Sequence, residues 1–344
     1  MQLSVWAFFK EQWSTAQPVV TADLAGKTVV VLGANTGLGF EASKHFATMN
    51  PGRLILACRN QSKGQAAVEK LKADTGYAKA ELWLVDLADF ASVKNFTDRF
   101  VQDGGRLDII VENAAVGPGV TYGATKDGWE TSLQVANLST PLVALLLLPI
   151  MLKTAIEHNT TPRIVVVSSN VHYWTTLTKE VLESSAILET LGSEKYCTSK
   201  NMTERYHVTK LLNVFFFRAL NERLAPTTPI VVDAVCPGYC YSELRRELSG
   251  VSAAVDWLTE KCLAFSTERG SRQLVYAALA HQDRPETLRG EYISISAVRE
   301  VGDFVLSPEG AKAQDHIWDE MVEILSKVDP RVRDIVAKHL VSPA

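Results

Sequence analysis

A chain of 344 residues exceeds the common size of one domain, yet α/β domains of roughly 200–250 residues with appendages are ordinary, so length alone does not demand two. The composition, 47% hydrophobic and 22% charged with a mean hydropathy of +0.02, excludes a disordered or fibrous chain and predicts a compact globule. Lys+Arg 35 against Asp+Glu 39 gives a net charge of -4 with no block of like charge, which excludes the basic footprint that a nucleic-acid partner needs.

The chain opens on MQLSVWAFFKEQW, whose apolar residues are interrupted by Lys10 and Glu11. With no basic leader and no small-residue cleavage site, residues 1–22 are expected to be an amphipathic segment packed on the protein's own surface or in peripheral contact with a membrane, not a signal peptide. From Thr28 onward, short aliphatic runs alternate with longer amphipathic stretches, the pattern of βαβ units in a parallel sheet. The predicted strands are 28–32, 53–58, 80–85, 107–111, 163–168, 230–235 and 291–295, nearly continuous apolar runs as strands covered on both faces should be. The predicted helices are 39–49, 63–75, 92–101, 129–156, 203–224 and 267–280. The longest apolar run, Leu142 to Leu152, is short for a bilayer span and contains Pro149, so a buried helix is expected and no transmembrane span. Residues 23–298 are therefore expected to form one sheet domain, with a lid insertion at 173–202 and a helical C-terminal extension at 299–344. The cysteines (Cys58, Cys197, Cys236, Cys240, Cys262) are odd in number and lack paired spacing, which suggests neither a disulfide framework nor a metal site and fits a reducing, cytoplasmic compartment.

The residues with chemical potential sit at predicted strand ends. The first strand runs into LGANTGLG, where Gly33, Gly37 and Gly39 allow backbone N–H groups to approach a pyrophosphate at a helix N-terminus. The second ends in ACRNQSKG, with Arg59 and Lys63 and no acid to accept a ribose 2′-hydroxyl, so a 2′-phosphate and hence NADP(H) is expected. Asp86 follows the third strand and Asn113 the fourth, and the fifth delivers Ser168 and Ser169 to the same edge. Tyr206 and Lys210 in YHVTK share one helical face; a neighbouring ammonium favours the phenolate, so the pair suits proton donation to a carbonyl oxygen, with a serine hydrogen-bonded to that oxygen. A second match, Tyr196 with Lys200, lies in the insertion, and only Tyr206 is followed by an amphipathic helix that leads directly to a strand.

This ordered set resembles the short-chain dehydrogenase/reductase family from about Asp23 to Ile295, and RYHVTKLLNVFFFRAL, NTGLG and the C-terminal tail resemble its retinol-dehydrogenase-like branch, found among fungal secondary-metabolism tailoring reductases. The resemblance implies a doubly wound, Rossmann-type α/β fold: a mostly parallel seven-stranded sheet with helices on both faces. It implies cofactor contacts from Gly33, Asn35, Thr36, Gly37, Leu38 and Gly39, from Asp86 and Leu87 near adenine, and from Asn113, Tyr206 and Lys210. Pro237 and Gly238, with Ser242 close behind, would lie by the nicotinamide carboxamide, and Ser169, Tyr206 and Lys210 would be catalytic, with 4-pro-S hydride delivery. The expected substrate is a small ketone, aldehyde or alcohol, apolar or polyketide-like; Tyr173, Trp174, Tyr239, Tyr241 and Trp257 suit such a ligand or the packing of a lid. Oligomeric state is left open.

Three positions depart from the family pattern: Leu32 for a threonine, Ala115 for a glycine and Ala136 for the catalytic asparagine. Asn137 is one residue late, about 100° and 1.5 Å along a regular helix, so its carboxamide is expected to point elsewhere and its loss to change kcat less than tenfold unless a π-bulge swings it inward. The rival reading that this departure admits is an NADP-binding scaffold without redox turnover, acting as a regulatory module or a non-redox catalyst.

Overall fold

The computed structural model describes residues 3–103, 105–117, 121–242 and 259–342. Seven parallel strands form one sheet in the order β3-β2-β1-β4-β5-β6-β7: β1 (Thr28–Leu32), β2 (Arg53–Cys58), β3 (Ala80–Leu84), β4 (Ile109–Glu112), β5 (Arg163–Val167), β6 (Val231–Cys236) and β7 (Tyr292–Ser294). Alternate residues feed two cores. Val29, Val31, Leu54 and Leu56 enter one, while Val30, Leu32, Ile55 and Ala57 enter the other, which is why these strands read as unbroken apolar runs.

The sheet has an eighth strand where seven were expected. β8 (Ala297–Arg299) turns back antiparallel on β7 through Ile295 and Ser296, both at positive φ (53° and 52°). Such a two-residue turn normally announces itself by Asn or Gly, and neither is present. The left-handed backbone is held by Gln273, whose Oε1 accepts from the Ser296 N–H at 2.6 Å and whose Nε2 donates to Ser296 Oγ at 3.1 Å.

Preceding the sheet is α1 (Val5–Gln12). One sheet face carries α2 (Gly37–Thr48) and α3 (Gln61–Thr75), and the other carries α4 (Phe90–Gln102), α5 (Thr131–His158) and α6 (Arg205–Arg223); α7 (Thr267–Leu279) completes the first. Among the described residues α5 is the helix long and apolar enough to cross a membrane, but 83% of its most apolar window is buried in the protein, as expected of a core helix. It is not regular: Gln134–Ser139 form a π-turn.

The insertion after β5 contains a 3₁₀ turn (Asn170–Trp174) and three short helices (Lys179–Leu182, Ile187–Gly192, Ser199–Thr203). The C-terminal helices α8 (Pro308–Val328) and α9 (Arg331–His339) pack on α6 and α5, and α8 also packs on the insertion, where Glu320 accepts from the first free N–H groups of Leu188 (2.9 Å) and Glu189 (3.0 Å). The insertion is pinned to the start of α6 by Arg205. This side chain, 2% exposed, lies 3.4 Å from the equally buried Glu130 carboxylate and donates to the Leu191 carbonyl at 2.6 Å. Removing one partner of such a pair strands the other charge, so Arg205→Ala should lower unfolding free energy in urea by about 3–5 kcal/mol. A loss below about 1 kcal/mol would show that Glu130 is satisfied by its bonds to the Ser132 and Leu133 N–H groups alone.

Candidate active site

β1 and β4 are neighbours in the sheet although β2 and β3 lie between them in the chain, and the strand order reverses direction at that point. Ligands of doubly wound sheets bind at such a reversal, beyond the strands' carboxyl ends. The glycine loop lies there, with Gly33 and Gly37 at φ 73° and 62°. A Cβ on Gly39 would stand 2.5 Å from the Gly33 carbonyl and 2.6 Å from Asn113 Nδ2, whereas one on Gly37 would meet nothing within 4 Å. The loop is therefore closed on its sheet side and open at the N-terminus of the 12-residue α2, a cradle that fits a pyrophosphate. Asn113 donates to the Leu32 and Gly33 carbonyls at 3.2 Å each, so its amide holds the loop itself. Asn35 is half-buried, Thr36 precedes the first residue of α2 in extended conformation without a side-chain cap bond to it, and Leu38 packs beside Gly270 of α7.

Beyond β2, Asn60 caps α3 by accepting from the Lys63 N–H at 2.9 Å, and the Arg59 and Lys63 side chains are exposed with no ion pair among the described residues. Asp86 is fixed at the end of β3 by its own turn: Oδ1 accepts from Ala88 N–H at 3.0 Å and its N–H donates to Ser92 Oγ at 2.9 Å. Leu87 buries its side chain in the core, which leaves it only backbone groups for a ligand.

The two serines after β5 divide the labour. Ser168, 1% exposed, donates to the Lys210 carbonyl at 2.9 Å and so ties α6 to the sheet. Ser169 is half-buried, with its Oγ only loosely engaged by the Val171 N–H at 3.4 Å. Its carbonyl is held by His172 Nδ1 at 2.8 Å, while His172 Nε2 accepts from the Gly302 N–H at 3.1 Å. That pairing assigns the proton to Nδ1, and burial pushes the imidazole down to about 4, so it is a neutral strut.

On α6, Tyr206 and Lys210 share a face, with Lys210 Nζ 5.7 Å from the phenol ring centre. The ammonium is buried, donates to the Val167 carbonyl at 2.7 Å, and is lowered to about 8 by desolvation. The competing pair is separated: Tyr196 is buried with its hydroxyl 3.2 Å from Thr178 Oγ1, and Lys200 is exposed on a short helix.

The expectation of a regular helix at Asn137 is overturned. The π-turn, in which Thr140 Oγ1 also bonds the Val135 carbonyl at 2.8 Å, rotates Asn137 toward α6, and Nδ2 donates to Asn213 Oδ1 at 2.7 Å and to the Thr209 carbonyl at 3.0 Å. Asn213 Nδ2 in turn donates to the Val167 carbonyl that holds Lys210. Ala136 is buried and contributes no polar atom. Sequence reasoning missed Asn213, although its spacing from Tyr206 and Lys210 puts it on the same helical stripe.

After β6, Pro237 is buried, Gly238 sits at φ 82° and Ser242 is half-buried. Tyr173 packs against Tyr292 and bonds the Glu300 carbonyl, which makes it part of the scaffold, whereas Trp174 is 43% exposed beside the Ser169 segment. Tyr239 and Tyr241 lie in the loop after β6, and Trp257 lies outside the described residues.

A family model described as short chain dehydrogenase matches residues 27–176. A short chain dehydrogenase/reductase of Cryptosporiopsis, dmxR8, is 34% identical over 328 residues, 94% of this chain and 98% of its own length. The short chain dehydrogenase sol3 of Alternaria solani is 36% identical over 271 residues, 79% of this chain and 90% of its own. Among solved structures, an L-sorbose reductase from Gluconobacter frateurii, complexed with NADPH and L-sorbose, superposes with a TM-score of 0.57 at 18% identity, covering 82% of this chain and 98% of that one, a likeness of fold alone. The chain belongs to the short-chain dehydrogenase/reductase family and is an oxidoreductase of CH–OH and C=O groups that works with a nicotinamide cofactor.

Proposed function

We propose that the protein is an NADPH-dependent reductase of a ketone or aldehyde on an apolar, polyketide-like metabolite, with Tyr206 as proton donor, Lys210 as its electrostatic partner and Ser169 as hydrogen-bond donor to the carbonyl oxygen. The observation that carries this reading is the Lys210 ammonium, buried 5.7 Å from the Tyr206 ring centre on a helix latched to the end of β5. A bound nicotinamide supplies the hydride that reduces the carbonyl carbon. Tyr206 gives its phenolic proton to the oxygen, Lys210 stabilises the phenolate left behind, and the proton is restored from solvent, so that one hydride and one proton convert the carbonyl to an alcohol. Ser169, whose hydroxyl has one contact among the described residues, at 3.4 Å, can turn to bond the developing alkoxide.

The choice of NADPH rests on Arg59 and Lys63, exposed without carboxylate partners among the described residues, beyond a strand that ends in no acid. The apolar substrate is supported by Trp174, 43% exposed and in edge contact with Phe8, beside the Ser169 segment. The scaffold reading rested on Ala136, and the π-turn brings the carboxamide of Asn137 to α6 in its place, so no observation favours it.

With NADPH and a panel of apolar ketones, followed at 340 nm, Tyr206→Phe should abolish turnover while Tyr196→Phe keeps most of it; the reverse would move the site into the insertion. Arg59→Ala should weaken NADPH by about tenfold or more and leave NADH nearly unchanged, since only the 2′-phosphate offers the ion pair. Equal weakening of both would refute the 2′-phosphate role. Asn137→Ala removes the donor shared by Asn213 and the Thr209 carbonyl and should lower kcat by more than about tenfold, or 1.4 kcal/mol of barrier, with NADPH affinity intact. A change below about threefold would mean that this carboxamide serves packing only.

A further inference from the structure

The N-terminal helix spans the two loops that flank the candidate site. On one side, the Leu3 carbonyl accepts from Trp174 Nε1 at 2.8 Å, Phe8 meets the Trp174 ring edge-on with centroids 5.5 Å apart, and Glu11 Oε2 accepts from Asn170 Nδ2 at 3.4 Å. Asn170 and Trp174 belong to the turn directly after Ser169. On the other side, Gln12 is 4% exposed and uses both ends of its amide on the loop after β6: Nε2 donates to the Tyr239 and Leu263 carbonyls at 2.9 Å each, and Oε1 accepts from the Tyr239 N–H at 3.2 Å. The chain beyond α1 is anchored in turn, because Arg269 donates to the Ser14 carbonyl and Arg272 to the Gln17 carbonyl at 2.9 Å.

The geometry points to α1 as an intramolecular clasp over the site, with Gln12 as a positioning residue that fixes the Pro237–Tyr239 backbone, against which a bound nicotinamide would seat on the family resemblance. The inference rests on the cofactor reading above. Its physical content is that the loop carrying Gly238 at φ 82° lies outside the sheet, tied among the described residues by a single bridge in which the Phe265 N–H donates to the Tyr239 carbonyl at 2.8 Å and the Tyr241 N–H to the Phe265 carbonyl at 3.0 Å. The Tyr239 carbonyl accepts from Gln12 and from the Phe265 N–H at 2.8 Å, so two segments distant in sequence converge on one peptide unit. A Cβ on Gly238 would stand 2.8 Å from the Phe265 ring and 3.2 Å from Gln12 Oε1, so Phe265 and Gln12 together close the side of the glycine on which a side chain would stand. A glutamine with three hydrogen bonds at that depth defines the loop's position to within the tolerance of those bonds, and hydride transfer is sensitive to displacements of that size. The opposite face of α1 has no such role: Trp6 and Trp13 are 72% and 65% exposed.

The test compares two ligands of the full-length protein by calorimetry: NADPH, and adenosine 2′,5′-bisphosphate, which lacks the nicotinamide half. Gln12→Met keeps the volume and loses all three hydrogen bonds; it carries the test if Gln12→Ala does not fold. We expect Gln12→Met to raise the Kd of NADPH by about tenfold and to leave the bisphosphate unchanged, so that the ratio of the two constants shifts. A general loosening of the fold would weaken both alike and overturn the assignment, as would an unchanged ratio. Trp13→Ala, on the exposed face, should leave the ratio where it is, and an equal shift there would overturn the role of Gln12. If the wild-type protein bound neither ligand, the cofactor reading would fall and the clasp with it; wild-type binding with an unmoved ratio in Gln12→Met would sink the clasp alone.

Discussion

The carbonyl of Val167, the last residue of β5, joins the sheet to the chemistry. It accepts from Lys210 Nζ at 2.7 Å and from Asn213 Nδ2 at 3.2 Å, while the next residue, Ser168, donates back to the Lys210 carbonyl. Burying an ammonium is unfavourable unless its donors are used, and desolvation accordingly lowers Lys210 to about 8. Once the latch is made, little else is free. Tyr206 stands one helical turn before Lys210 and Ser169 one residue beyond Ser168, so the latch sets the backbone positions from which the proposed proton donor and hydrogen-bond donor project.

The π-turn in α5 is the second constraint on the same point. An extra residue in the ladder rotates the adjoining turn by about 100°, which converts a position that would face away from α6 into one that faces it. Asn137 then closes a chain of amides through Asn213 to the Val167 carbonyl, and its Oδ1 stays buried without a partner among the described residues. Native interiors seldom leave such an acceptor unsatisfied except where it has work to do. A helix under no other demand would relax to the regular ladder, so the distortion and the unpaired oxygen belong to one arrangement.

Which of these features the sequence reveals depends on the range of the interactions behind them. The parallel strands were legible because burial on both faces requires unbroken apolar runs, and Tyr206 was separable from Tyr196 because only the former begins a helix that can cover the sheet. The hairpin to β8 was not, since Gln273 holds Ile295 and Ser296 in a backbone that their own side chains disfavour. The π-turn stood in the sequence only as an alternative to a regular helix, because the long apolar run after Thr140 is buried on every side and its period cannot fix the register of the polar Asn137, Ser139 and Thr140 before it. Asn213 had a spacing signal, on the stripe of Tyr206 and Lys210, whereas His172 had none, because its partner Gly302 is 130 residues away.

The two ends of the chain act on the site in the same manner, by hydrogen-bonding backbone that the sheet leaves unpaired. Loops at the carboxyl edge of a doubly wound sheet carry N–H and C=O groups that no ladder satisfies, and in a minimal fold water takes them. Here His172 relays the Ser169 carbonyl to the Gly302 N–H, Glu320 caps the insertion helix at Leu188 and Glu189, and Gln12 holds Tyr239. Water exchanges and side chains of a packed helix do not, so each substitution of one for the other removes freedom from the segment it holds, which for His172 and Gln12 is the backbone beside Ser169 and Gly238. On the proposed reading, residues near both ends of the described chain therefore act on the loops that would shape the cleft, while the Tyr206–Lys210 pair is held to the sheet, so the extensions could alter substrate choice without altering the chemistry.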